Sequence, residues 1–246
     1  MVIADLIYEG KAKRIYTDPT GSESVLLEFK NSLTALNGLK KGSFETKGAV
    51  NRDIASLIFK HLAEHGVESH FLEDSGEISM RVKKVKILPL EVVVRNVLAG
   101  STPKKLGLPE GKELSRPLVE FYYKDDALQD PFVSDDQIIM MNVASQAQIE
   151  ELKFKALKIN SLLQKLFSKA NIRLIDFKVE FGVDSAGKII LADEITPDCC
   201  RLWDQGTQEK LDKDRFRRDL GQIKESYEEV LKRLKAVVAQ NVGRTV

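Results

Sequence analysis

The stretch Ile175-Asp176-Phe177-Lys178-Val179-Glu180-Phe181 alternates apolar and charged residues without a break. A period of two belongs to a β-strand and not to a helix. Ile175, Phe177, Val179 and Phe181 therefore share one face, and Asp176, Lys178 and Glu180 share the other. The loop GVDSAGK then turns the chain into IILADE, a second strand, which brings Asp193 and Glu194 beside those charges. Crowded carboxylates repel one another unless a cation sits among them. Oxygen ligands without His or Cys suit Mg²⁺ bridging a nucleotide phosphate. A solvated sheet face laced with cross-strand ion pairs has the same pattern, and alternation alone does not separate the two readings.

Around this hairpin the sequence predicts an α+β fold with largely antiparallel sheet. Leu6 to Tyr16 and Ser24 to Lys30 read as strands split by the turn TDPTGSE. Val50, Ile54, Leu57, Ile58 and Leu62 give helical spacing over 45–65, with Gly66 as its stop. Ser79 to Ile87 alternates, and Leu88 to Val94 is a continuous apolar strand. Ser145 and Gln148 form a capping box ahead of Ile149, Leu152, Ala156, Ile159, Leu163 and Leu166. A last amphipathic helix runs over about 220–240. The stretch 100–131, rich in proline and charge, reads as irregular connection. The expected division is 1–88, a nucleotide-binding domain, and 89–246.

Three further stretches carry candidate chemistry. In Gly10-Lys11-Ala12-Lys13 two ammonium groups point to one strand face, which suits a polyphosphate. Neither a P-loop nor a dinucleotide fingerprint is present, and solvated hairpin lysines are the plainer reading of this motif alone. In LPLEVVVRNVLAGS, residues Glu91, Val93 and Arg95 share a face of an apolar strand. A buried Arg95 demands an anion, and with the Gly100-Ser101 amide and hydroxyl it suits a phosphate monoester. An internal Glu91–Arg95 ion pair is the alternative. The loop from Asp193 to Trp203 carries acid, base and the single tryptophan. Cys199 and Cys200 read as small fillers, His61, His65 and His70 as having no catalytic role, and the runs Lys83 to Lys86 and Lys213 to Arg215 as solvated faces.

The 246 residues carry a net charge of +1, which gives no reason to expect a nucleic-acid or membrane partner. The start has no signal-like apolar region, no stretch approaches a membrane span, and two adjacent cysteines make no disulfide framework or zinc site. The expected compartment is a reducing cytoplasm.

The segments YEGKAKRIY, LPLEVVVRNVLAGS, KDDALQDP, LIDFKVEFG, ADEITPDCCRLWD and DKDRFR, in this order and spacing, resemble the signature blocks of SAICAR synthetases across nearly the whole chain. The resemblance implies a ligase joining L-aspartate to the carboxylate of carboxyaminoimidazole ribotide, with ATP cleaved to ADP and phosphate. It implies ATP in a cleft between an N-terminal antiparallel-sheet domain and a larger C-terminal domain. Gly10, Lys11, Ala12 and Lys13 would contact ATP phosphates, and Lys83 to Leu88, Ile87 included, would line the adenine pocket. Glu180 and Asp193 would hold Mg²⁺, with Asp176 and Glu45 serving a further Mg²⁺. Lys178 would face the reacting groups, alongside Asp176 and Asp198 as catalytic residues, Asp198 lying at the ribotide or aspartate. Arg95, Ser101 and Arg201 would bind the ribotide phosphate, and Asp130 would sit on a closing loop. A homodimer is expected on the same ground. The sequence departs from the family at Cys199-Cys200, where Gly-Ser is usual, at 34–38, and over 137–144, which lacks the usual aromatics. A small-molecule kinase and an RNA-binding module are the competing readings.

Overall fold

A computed structural model describes residues 4–35 and 38–242, with the side chains of 241 and 242 outside the description. Part of the departure at 34–38, Leu36 and Asn37, lies outside the described residues.

The first sheet comes from short runs separated by turns. β1 (Leu6–Glu9), β2 (Lys13–Thr17), β3 (Ser24–Phe29), β6 (Phe71–Asp74) and β7 (Ser79–Lys83) form an antiparallel sheet in the order β1-β2-β3-β7-β6. Asp18 closes the β2–β3 turn by accepting from the backbone amide and hydroxyl of Thr20 and the hydroxyl of Ser24, the local bonding for which Asp is favoured in turns. β4 (Ser32–Ala35) and β5 (Lys40–Ser43) make a separate ribbon. Helix α1 (Lys47–Glu64) buries Ile54, Ile58, Phe59 and Leu62. It ends at Gly66, whose φ of +69° suits a residue without Cβ.

The second sheet begins where the first ends. β8 (Lys86–Val97), β9 (Glu113–Tyr123), β10 (Phe132–Val133), β11 (Ile172–Val183) and β12 (Ile189–Ala192) pair antiparallel in the order β10-β9-β8-β11-β12. β13 (Cys200–Asp204) also pairs with β11, with a register shift between Leu174 and Asp176. The helices here are α2 (Ser101–Leu106), α3 (Asp135–Met140), α4 (Gln146–Lys169), α5 (Asp214–Arg217) and α6 (Ile223–Val242). α4 carries the expected capping box at Ser145 and Gln148 and buries all six expected apolar positions. It packs on β11, β8 and β9, while α1 lies against β3, β6 and β7 on one side and α6 on the other. One hydrophobic cluster runs through all of these, from Leu27 to Val237.

The largest correction concerns 100–131. Instead of irregular connection it contains α2 and the eleven-residue strand β9. The strand is held by its ladder with β8, and most of its side chains are not buried, so its sequence lacks the apolar alternation that would have marked it.

Candidate active site

Strand register builds the charged face. Asp176 stands opposite Arg95, Lys178 opposite Val93, and Glu180 opposite Glu91. Glu91 and Arg95 are four residues apart on one strand, roughly 13 Å at about 3.3 Å per residue. Glu91 therefore meets Lys178 on β11, and Arg95 meets Asp176 on β11 and Glu120 on β9, so the internal Glu91–Arg95 pair of the alternative reading is not formed. The face is not solvated either: Asp176, Glu180 and Glu194 are all at most 5% exposed.

Two cation groups divide it. At the β12 end, Lys13 from β2 contacts Asp193 and lies 3.4 Å from Glu194. Lys178 reaches Glu180 at 2.7 Å, Glu91 at 3.0 Å and Asp193 at 3.7 Å. Lys124, just past β9, reaches Glu180 at 2.5 Å. Burial opposes the charge on Lys13, but Asp193 and Glu194 outweigh it and raise its pKa above the ordinary lysine value. Burial likewise opposes ionisation of Asp193, and Lys13 with Lys178 outweighs it, so its carboxyl stays well below the usual range. Glu194 is pushed up, first by burial and then by its acidic neighbours. These directions are those of a charge-dense site with mixed partners.

The other group is built on guanidinium. Arg95, 5% exposed, donates to Glu120 at 2.7 Å and to Asp176 at 2.6 Å. Arg201 donates to Asp176 at 2.9 Å and to Asp214 at 3.0 Å. Burial works against Arg201 too, and Asp176 with Asp214 more than offsets it. The guanidinium of Arg201 stacks so close to Gly100 that a Cβ there would meet its Nη2 at 2.5 Å. Gly100 also has φ +73°, so this position admits little but glycine. Ser101 opens α2 next to it and is exposed.

Asp198 organises a third group. Its oxygens take Lys47 at 2.5 Å, Asn51 at 2.9 Å and the Tyr227 hydroxyl at 2.9 Å, with Lys213 at 3.6 Å. Burial opposes its charge, and Lys47 and Lys213 keep its pKa low. Lys11 is exposed and reaches Asp126 at 2.7 Å. That residue lies on the segment between β9 and β10, where Asp130 takes a left-handed φ of +48° and accepts from the Asp125 amide. Gly10 and Ala12 form the backbone of the turn between β1 and β2: the Gly10 amide donates to Lys13, and the Ala12 carbonyl accepts from Lys30. Lys83 borders a cleft of about 610 Å³ with Ser24, Leu72 and Asp184, whereas Ile87 stands on β8, 37% exposed. A second cavity, about 440 Å³ between Asn96, Arg116, Gln164 and Arg173, holds none of the expected site residues.

The expected pairing of Asp176 with Glu45 is not formed. Asp176 gives both oxygens to the two arginines, and Glu45 is exposed ahead of α1. A metal beside two guanidinium groups would be repelled, so these two residues do not fit a cation site.

Residues 6–234 match the SAICAR synthetase family. The chain belongs to the SAICAR synthetase family. It is 54% identical over 234 residues to the phosphoribosylaminoimidazole-succinocarboxamide synthase of Listeria monocytogenes, covering 95% of this chain and 98% of that one. The crystal structure of the Ehrlichia chaffeensis synthase superimposes with a TM-score of 0.92 at 41% identity, over 94% of this chain and 99% of that one. A SAICAR synthetase solved in complex with ADP matches with a TM-score of 0.90 at 45% identity, over 93% and 97%. The SAICAR synthetase fold is thus the frame in which the three charged groups sit. Among the described residues, no helix is long and apolar enough to cross a membrane.

Sequence reading of this SAICAR synthetase family member missed Lys47, Asn51, Lys124, Glu120, Tyr227 and His70. A signal existed for two of them. Lys47 and Asn51 continue the Ile54, Ile58, Leu62 stripe toward the helix start, and a polar residue on a buried stripe needs a polar partner. At Cys199 and Cys200 neither residue has positive φ, so no glycine conformation is lost there. The Cys199 carbonyl accepts from the Lys178 amide, and Cys200 is buried in β13.

Proposed function

We propose that this chain is a phosphoribosylaminoimidazole-succinocarboxamide synthase. It is an ATP-dependent ligase of purine biosynthesis that joins L-aspartate to the carboxylate of carboxyaminoimidazole ribotide. The observation that carries the reading is one sheet face in a chain of this family. On it a lysine–carboxylate group (Lys13, Lys178, Glu180, Asp193) stands beside a double-arginine group (Arg95, Arg201).

The chemistry demands such a face. A carboxylate is a poor acyl donor to an amine, so the ribotide carboxylate first takes the terminal phosphoryl of ATP. The aspartate amine then displaces phosphate from the acyl phosphate, forming the amide. The protein's task is to position three anions and offset their charge. Lys11 and Lys13, with the backbone of Gly10 and Ala12, hold the phosphates. Lys83 and Ile87 border the base. Lys178, central among Glu91, Glu180 and Asp193, faces the transferring group. Arg95, Arg201 and Ser101 take the ribotide phosphate, a fork geometry suited to it. Asp198 holds Lys47 and Lys213 toward the ribotide or the aspartate, and Asp130 shapes the loop that closes over the site. No enzyme nucleophile is required.

Glu180 and Asp193 fit Mg²⁺: Glu180 is buried and Asp193 half-buried, both offer only oxygen, and both rest on ammonium groups at the ends of flexible stems rather than on guanidinium. Bound there, the ion would neutralise phosphate oxygens and draw charge from the transferring phosphoryl. We also assign 1–88 and 89–246 as the two lobes around the nucleotide, a homodimer as the assembly and the cytoplasm as the compartment.

The deciding experiment is phosphate release from Mg·ATP with ribotide and aspartate each omitted in turn. Release that needs both, with a succinocarboxamide product, supports the ligase. Release without aspartate points to a kinase, and none from folded protein rejects the reading.

A further inference from the structure

The segment between α1 and β6 crosses from one sheet to the other, and His70 is its anchor. The His70 amide donates to Leu191 in β12 at 2.8 Å, and its carbonyl accepts from the Lys83 amide at the end of β7 at 2.6 Å. Its ring is 3% exposed and packs edge-on against Phe59 of α1, 5.5 Å between centroids. From there Nε2 reaches the backbone carbonyl of Asp193 at 3.0 Å. A carbonyl only accepts, so Nε2 carries the proton and donates.

Asp193 needs that donor. β12 ends at Ala192, and Asp193 turns into the left-handed region with φ +63°. A non-glycine residue there is held by its surroundings rather than by its own preference. The turn takes its carbonyl off the ladder and swings its carboxylate toward Lys13 and Lys178. Three bonds from one residue thus tie β7, β12 and the carboxylate-bearing turn together.

We infer that His70 is a positioning residue for the nucleotide half of the reaction: by donating Nε2–H to the Asp193 carbonyl it fixes the carboxylate's direction. The inference rests on the reading of Asp193 as a ligand of the metal-bound nucleotide. What matters is a neutral donor at that point, not an imidazole as such. Glutamine can carry an N–H there, whereas phenylalanine keeps the packing on Phe59 without a donor and leaves a buried carbonyl unpaired.

The test compares His70→Gln, His70→Phe and Asp193→Asn in the full-length enzyme. The readouts are KM for Mg·ATP, KM for aspartate and thermal midpoint. His70→Phe is expected to raise KM for Mg·ATP roughly tenfold, the scale of one lost hydrogen bond, with KM for aspartate within about twofold. His70→Gln is expected to restore KM for Mg·ATP to within about threefold of the parent at a similar midpoint. Equal KM for Mg·ATP in the parent and His70→Phe, while Asp193→Asn is impaired, overturns the positioning role alone. Unimpaired Asp193→Asn instead overturns the reading of the nucleotide site beneath it. A loss in His70→Phe that tracks the thermal midpoint and affects both substrates equally reduces His70 to a packing residue.

Discussion

Along β11 the face that carries Asp176, Lys178 and Glu180 meets two kinds of cation. At the β12 end Glu180 and Asp193 are served by Lys13, Lys124 and Lys178. At the other end Asp176 is gripped by Arg95 and Arg201, with Glu120 and Asp214 behind them. The carboxylates are alike and the cations are not. An ammonium group is a point charge on a flexible stem and exchanges partners readily, whereas a guanidinium group is a rigid fork whose bonds fix a geometry. The lysine end suits a group that arrives with its own cation. The arginine end suits a phosphate oxyanion seated in one orientation.

The sharpest way to break this contrast is Asp193→Asn. It removes the charge on which Lys13 and Lys178 converge, and kcat/KM should fall by a hundredfold or more, the scale of a lost electrostatic group at a reacting centre. Steady-state rates and Mg·ATP titration check this, and near-normal values of both reject the metal role. Arg95→Ala tests the other end. The ribotide KM should rise roughly fiftyfold with KM for ATP little changed, and the fold should lose about 3–5 kcal/mol because Asp176 and Glu120 stay buried and half-paired. Arg95→Lys should restore only part of either, and full restoration would remove the argument from geometry.

pH sharpens the contrast further. Asp212, fully buried behind the arginine end, accepts from the Leu202 and Asp214 amides. Burial, reinforced by Asp214, pushes its carboxyl up from 3.8 to about 7. Because its folded value lies above the unfolded one, its contribution is present below about pH 4 and is lost as pH rises through about 7. The loss is on the order of 4 kcal/mol at most, about three units at 1.36 kcal/mol each. Denaturant melts across that window should show a decline that Asp212→Asn flattens, and parallel curves for the two proteins would contradict the assignment. The smallest effect is expected at Cys200→Ser. The residue is buried but touches neither cation group through its thiol, so activity should stay within about twofold. A folded, inactive variant would show that the thiol matters.

How much of this was legible follows from what makes an element stand out. The capping box and apolar stripe of α4 announce themselves because the helix buries one face, and β11 announces itself by strict apolar–charged alternation, although the fold buries most of its charged face as well. β9 does not, since few of its side chains are buried and its backbone ladders with β8 and β10 define it. The charged face was legible as residue types but not as pairs. Register decides that Arg95 meets Asp176 and Glu120 rather than Glu91, and register belongs to the folded sheet. Lys47 meeting Asp198, and His70 meeting Asp193, join residues more than a hundred positions apart, which no local pattern encodes.

The ammonium groups resting on Glu180 and Asp193 have a consequence for how this site distinguishes its ligands. On the proposed assignment, a divalent ion arriving alone would have to displace Lys13, Lys124 and Lys178 from their carboxylates and leave three positive charges facing it. A triphosphate arriving alone would meet carboxylates that repel it. Arriving together, the ion would pair with the carboxylates and the phosphates with the ammonium groups, so every charge would change partner and none would be stranded. By reciprocity, whatever factor the nucleotide adds to the affinity for the ion, the ion adds to the affinity for the nucleotide. In electrostatic terms a cleft so assigned would work as a coincidence detector, responding to the pair and rejecting either member by itself.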